Sequence, residues 1–95
     1  MLIVRQDGKV VMNIDNISYI EIDPLCPVCL TAVVPRQFEK GFHYEHEHDE
    51  YFHRFYLGTF SSEKYAKAVL NTLVAAYERG ARVFRIPARE REKKC

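Results

Sequence analysis

One segment limits what this chain can fold into more than any other. It runs from Phe52 to Pro87 and reads FHRFYLGTFSSEKYAKAVLNTLVAAYERGARVFRIP. Ser61 or Ser62 stands where a helix N-cap belongs, because a serine oxygen accepts from the orphan amides of a first turn. Glu63 adds negative charge at the positive end of the dipole. Ala66, Val69, Leu70, Leu73, Val74 and Tyr77 then recur every three or four residues and form one apolar face, with Lys64, Lys67, Asn71 and Glu78 on the other side. Gly80 follows Arg79 at the position of a left-handed C-terminal cap. A helix with one apolar stripe must bury it, and the only available partner is a sheet.

The strands come first. Leu2 to Arg5 and Val10 to Asn13 flank Asp7-Gly8, a tight-turn signal, and predict a hairpin. Asp15-Asn16 marks a second turn. Ile17 to Ile22 is β-branched and partly alternating, and Asp23-Pro24 ends it. Val28 to Val34 and Phe52 to Leu57 read as further strands, and Ala81 to Ile86 as a short closing one. On the strand from Phe52, Phe55 and Leu57 share the face expected to join the core, while Phe52, Arg54 and Tyr56 share the other. The expected fold class is α+β: an antiparallel five- or six-stranded sheet packed by one C-terminal helix. If curved, such a sheet has the architecture of a pleckstrin-homology-type barrel, an analogy that carries no function. Residues 1–87 form the expected domain, with an insert loop at 35–51 and a charged flexible tail at 88–95.

Composition narrows the class. Ninety-five residues make one domain. With 47% apolar and 28% charged residues, the chain is ordinary for a globular protein. A net charge of +1 gives no electrostatic case for nucleic acid or an anionic membrane. The opening MLIVRQDGKVV is charged at Arg5, Asp7 and Lys9, unlike a signal peptide, and no apolar run is long enough to span a bilayer. The expected location is the cytoplasm of a bacterial cell, where a disulfide framework among Cys26, Cys29 and Cys95 is not expected.

Two clusters can carry chemistry. Cys26-Pro27-Val28-Cys29 has the spacing of half a tetrahedral zinc site, and His43, His46, His48 or His53 could supply the other half, with His46 and His48 pointing the same way on an extended segment. The alternative is that both cysteines are ordinary small residues at a strand entry. A thiol redox centre would want a helix after the motif, and a strand follows it here. The run His43 to Glu50 alternates histidine with carboxylates and could bind a metal or respond to pH near ~6.5, or simply form a solvated hairpin tip. The second cluster is aromatic and basic. Arg54, Tyr56, Phe52, Arg36 and Tyr44 form a candidate binding set, suited to a protein interface or to stacking on a nucleotide base. Arg36, Arg54, Arg82, Arg85 and Arg89 would reach phosphates if they converge; otherwise they only solubilise the surface. There is no nucleophile elbow, P-loop or dinucleotide fingerprint among four glycines, which argues against an enzyme.

The motifs Gln6-Asp7-Gly8, Asn13-Ile14-Asp15-Asn16-Ile17, Leu57-Gly58-Thr59-Phe60, Ser61-Ser62-Glu63 and Ile86-Pro87 resemble those of a group of small uncharacterised proteins from Firmicutes genomes, phages and prophages. The resemblance spans most of the chain outside the insert, and Cys26-Pro27-Val28-Cys29 departs from it. It implies a phage or mobile-element setting and no catalytic residues. The expectation is a non-enzymatic interaction protein binding a host or viral protein, such as a host-defence inhibitor, and able to form a homo-oligomer. The alternatives are a nucleotide-signal binding module or sponge, and a zinc-binding module using the Cys-Pro-Val-Cys motif and the histidines.

Overall fold

The computed structural model describes residues 1–35 and 52–89, with the Phe52 side chain left aside. The expected insert and the end of the tail lie outside them. The fold class is α+β with one helix, but the strands do not form one sheet. Strands β1 (Leu2–Val4), β2 (Val11–Asn13) and β6 (Val83–Arg85) make a three-stranded sheet in the order β2-β1-β6. Strands β3 (Tyr19–Ile22), β4 (Cys29–Pro35) and β5 (Phe52–Thr59) make a second, in the order β3-β4-β5. The expected single antiparallel sheet of five or six strands is therefore corrected, and no closed barrel forms.

Local chemistry accounts for the split. The hairpin β1–β2 turns at Gly8, whose φ of 73° suits glycine. After β2 the chain enters a 3-10 turn at Ile14–Asn16, where the Asn13 side chain accepts from Asp15 N. That turn carries β3 away from the hairpin. The open edge of β1 then takes β6, in parallel, with Leu2 opposite Val83 and Val4 opposite Arg85. A parallel neighbour needs a crossover connection, and the helix α1 (Glu63–Glu78) lies on the path that supplies it.

The helix has the predicted ends. Ser62 Oγ accepts from Tyr65 N at 3.1 Å. At the other end Gly80, with φ 76°, donates to Tyr77 O while Ala81 N donates to Ala76 O, closing a Schellman-type stop. The buried stripe is Ala66, Val69, Leu73 and Ala76, with Leu70 half-buried. Val74 and Tyr77, expected on that stripe, are exposed. The helix lies chiefly over β3 and β4. Its small residues allow close approach to Leu30 and Ala32, and Ile3, Leu57, Phe60 and Ile86 complete the core.

The two sheets are joined at β5. Leu30 faces Gly58 and Thr31 faces Tyr56, so Leu57 is the extra residue of a β-bulge. Leu57 is buried in the core, and its carbonyl accepts from Gln6 N at 2.8 Å. The Gln6 side chain continues the junction. Its Oε1 accepts from Thr59 N at 3.0 Å, and its Nε2 donates to Thr59 O and Pro87 O, both at 2.9 Å. Gly58 is required for this approach: a Cβ there would stand 2.9 Å from Ile86 Cγ2 and 3.1 Å from Gln6 Cβ. Gln6→Ala is expected to lose about 2–3 kcal/mol of unfolding free energy, since net hydrogen-bond contributions are about 1 kcal/mol each. Gly58→Ala is expected to lose about 1–3 kcal/mol by overpacking. The two losses should fall short of additive in urea titrations of the double variant, because both substitutions open the same contact.

Candidate functional site

The outer face of β3-β4-β5, away from the helix, is set by register. Tyr19, Val33 and Arg54 form one row across the three strands, and Glu21, Thr31 and Tyr56 form the next. Arg54 reaches diagonally over β4, and its Nη1 donates to Glu21 Oε1 at 2.6 Å. Below that pair Val33 and Thr31 are wholly buried. Among the described residues Thr31 Oγ1 has no hydrogen-bond partner. Tyr19 and Tyr56 flank the pair, 45% and 54% exposed. The Glu21 hydrogen bond raises the Arg54 pKa further above its already high ordinary value. Both charges are largely solvated, so the pair adds little to stability and mainly fixes where the guanidinium sits.

Beyond Tyr56 lies a shallow depression of 330 Å³ between the β1–β2 turn and the end of β5, lined by Arg5, Gln6, Asp7 and Tyr56–Thr59. The Arg5 guanidinium holds Asp7 in a two-point bond, Nε to Oδ1 at 2.9 Å and Nη2 to Oδ2 at 2.7 Å. With the Lys9 amide also donating, the Asp7 carboxyl is lowered to about 2. The other sheet presents a second exposed surface, since Leu2, Val11 and Val83 share its outer face.

Of the residues expected to bind, Arg54 and Tyr56 share the outer face as alternation predicts. Phe52 belongs to the same strand, opposite Pro35. Arg36 and Tyr44 lie outside the described residues. The set gains Tyr19 and Glu21, which sequence reasoning missed. The alternation in ISYIEI already placed those two on one face, but only register shows that it is the face of Arg54. Leu57 joins the core as expected, whereas Phe55 stays 37% exposed. The arginines of the phosphate reading do not share one sheet: Arg54 stands on β5 and Arg85 on β6.

Cys26 and Cys29 are joined in a disulfide across the β3–β4 connection, contrary to the expectation of unpaired thiols. The loop suits it. Asp23 N donates to Cys29 O, Cys26 N to Asp23 O and Cys29 N to Cys26 O, which brings the two Cα atoms to 5.4 Å. Disulfide sulfurs are not thiolate ligands, so zinc would need this bond reduced. His46 and His48 lie outside the described residues. Among the described residues no group of three or more histidine, cysteine or acidic side chains is placed to hold a metal, and no helix is long and apolar enough to cross a membrane.

Comparison with known proteins finds no matching family model, no matching curated protein and no matching solved structure.

Two outcomes are expected. Reducing Cys26–Cys29 should lower unfolding free energy by about 2 kcal/mol, the chain-entropy value for so short a loop, read as a shift of the denaturation midpoint. In an NMR pH titration the Asp7 carboxyl should titrate near 2. Its folded pKa lies below the unfolded value of about 3.9, so its stabilising effect is present above that value and is lost as pH falls through the folded one. Arg5→Ala should return the midpoint toward the ordinary range.

Proposed function

We propose that this chain is a non-enzymatic interaction protein that docks on a protein partner through Tyr19, Glu21, Arg54 and Tyr56. The observation that carries the reading is the state of Arg54. Its guanidinium is already held by Glu21 at 2.6 Å, between two exposed tyrosines. A phosphate would have to displace that carboxylate, whereas a protein surface can use the pair as it stands and bury the tyrosine rings beside it. Tyrosine and arginine are the residues that most often anchor protein interfaces, because one large side chain there combines apolar area with a polar tip. The resemblance to small phage and prophage proteins points to a host or viral protein as the partner, with inhibition of a host defence as the biological setting. The cytoplasm of a bacterial cell is the compartment that goes with it.

A nucleotide-signal sponge is the second reading. Arg54 and Tyr56 stand on the same face of β5, a pairing that suits base stacking next to an anion. Zinc remains tied to the reduced form of Cys26 and Cys29. Native mass spectrometry of freshly purified protein separates the three. A bare polypeptide mass is expected; a nucleotide adduct would move the site to the sponge reading, and a zinc adduct to the metal reading.

With the chain immobilised and host extract passed over it, the captured partner should bind Arg54→Ala and Tyr56→Ala at least about tenfold more weakly, a loss of about 1.4 kcal/mol. Both variants should melt with the wild type, since the side chains are exposed. Equal capture by wild type and variants would end the proposal.

A further inference from the structure

β5 carries a second interaction element, its outer edge. β5 is the edge strand of its sheet. At Leu57 that edge is closed by Gln6 N, but among the described residues no hydrogen bond reaches it between Phe52 and Tyr56. The other outer edges belong to β2, β3 and β6, which are three, four and three residues long. Short edges are one way chains avoid pairing with copies; proline and lysine on the edge are others. β5 is eight residues long and has neither.

The phase of the ladder decides which groups this edge offers. Cys29 O accepts from Asp23 N, so the odd-numbered residues of β4 turn their backbone groups toward β3. The even-numbered ones turn toward β5, where Ala32 meets Phe55 and Val34 meets His53. The backbone groups of Arg54 and Tyr56 therefore point outward.

We infer that β5 pairs antiparallel with β5 of a second copy about a two-fold axis at Phe55. In that register Arg54 of each copy stands opposite Tyr56 of the other, and each such pair exchanges both backbone hydrogen bonds. On the outer face the tyrosine ring of one copy lies beside the Arg54 stem of the other, whose guanidinium stays with Glu21. On the inner face Phe55 meets its own copy at a non-bonded position, where Cα atoms approach to about 4.5 Å. The 37% exposure of Phe55 and the placement of the helix over β3 and β4 leave that side open. An axis at Arg54 would set two like charges directly opposite, which is unfavourable. The Gln6 closure and the bulge at Leu57 stop the ladder from sliding further. The two three-stranded sheets become one of six strands, with two copies of the Tyr19–Glu21–Arg54–Tyr56 surface side by side. The inference shares β5 and the side chains of Arg54 and Tyr56 with the docking face proposed above, but its hydrogen bonds are those of the backbone edge, which can pair whether or not the face binds.

The test is cysteine crosslinking on the full chain in a Cys95→Ser background. Phe55→Cys is expected to form a disulfide-linked dimer under mild oxidation, and Arg54→Cys and Ala75→Cys are expected to remain uncrosslinked. Crosslinking of Arg54→Cys in place of Phe55→Cys overturns the register. Sedimentation equilibrium of the unmodified chain is independent of those variants: a doubled mass is expected, and a monomer mass at every concentration overturns the dimer. A monomer that still captures its partner through Arg54 and Tyr56 leaves the docking face standing, and a dimer that captures none leaves only the edge.

Discussion

The whole arrangement depends on one side chain. Gln6 stands where the β1 strand leaves its sheet, and it bonds to both backbone groups of Thr59 and to the carbonyl of Pro87. Those partners are 53 and 81 residues away in sequence. An amide is well suited to this junction. It offers a donor and an acceptor a fixed distance apart, so it satisfies a strand end as another strand would. A carboxylate would lack the donor, and an aliphatic side chain would leave three backbone groups unpaired in a half-buried setting. Beyond this junction the two sheets share the apolar core, where Ile3 and Ile86 join Leu30, Leu57 and Phe60.

The bulge at Leu57 follows from the same requirement. Up to Leu57 the strand alternates, with Phe55 and Leu57 inward and Arg54 and Tyr56 outward. The extra residue then shifts the phase, so that Gly58 and Phe60 turn inward as well. β5 is thereby divided. Its C-terminal half is bonded on both sides and holds the fold together. Its N-terminal half is bonded on one side only among the described residues. The exposed aromatic residues are confined to that half.

How much of this was legible follows from the range of each signal. The hairpin at Asp7-Gly8, the Ser62 cap and the Gly80 stop came out as read, because each depends on neighbours within a few residues. The helix stripe came out shifted. Val74 and Tyr77 fit the periodicity, but the helix packs on β3 and β4 with Ala66, Val69, Leu73 and Ala76, and alanine carries little weight in a pattern sought among large residues. The single sheet failed because alternation says which face a residue takes and nothing about which strand it pairs with. The parallel β1–β6 pair joins the two ends of the described chain, and no local pattern announces it. Gln6, Gly58 and Pro87 were visible only as members of short separate motifs. That they meet at one point required coordinates, and the meeting explains them as parts of the fold and not as a ligand site.

The same distinction bears on function. A residue that the fold does not need, held in place at some expense, is the better candidate for binding. Thr31 is such a residue: its hydroxyl is fully buried without a partner among the described residues, at a centre-strand position where valine would fit and leave no polar atom unsatisfied. The Arg54–Glu21 pair above it adds little stability in solvent yet crosses a whole strand to form. Neither feature helps the core, and they lie on adjoining rows of one face. A bound partner would exclude water from that face, and in the lower dielectric the ion pair would strengthen. On the proposed reading a partner covers this outer face, and pairing of the β5 edges would present it twice.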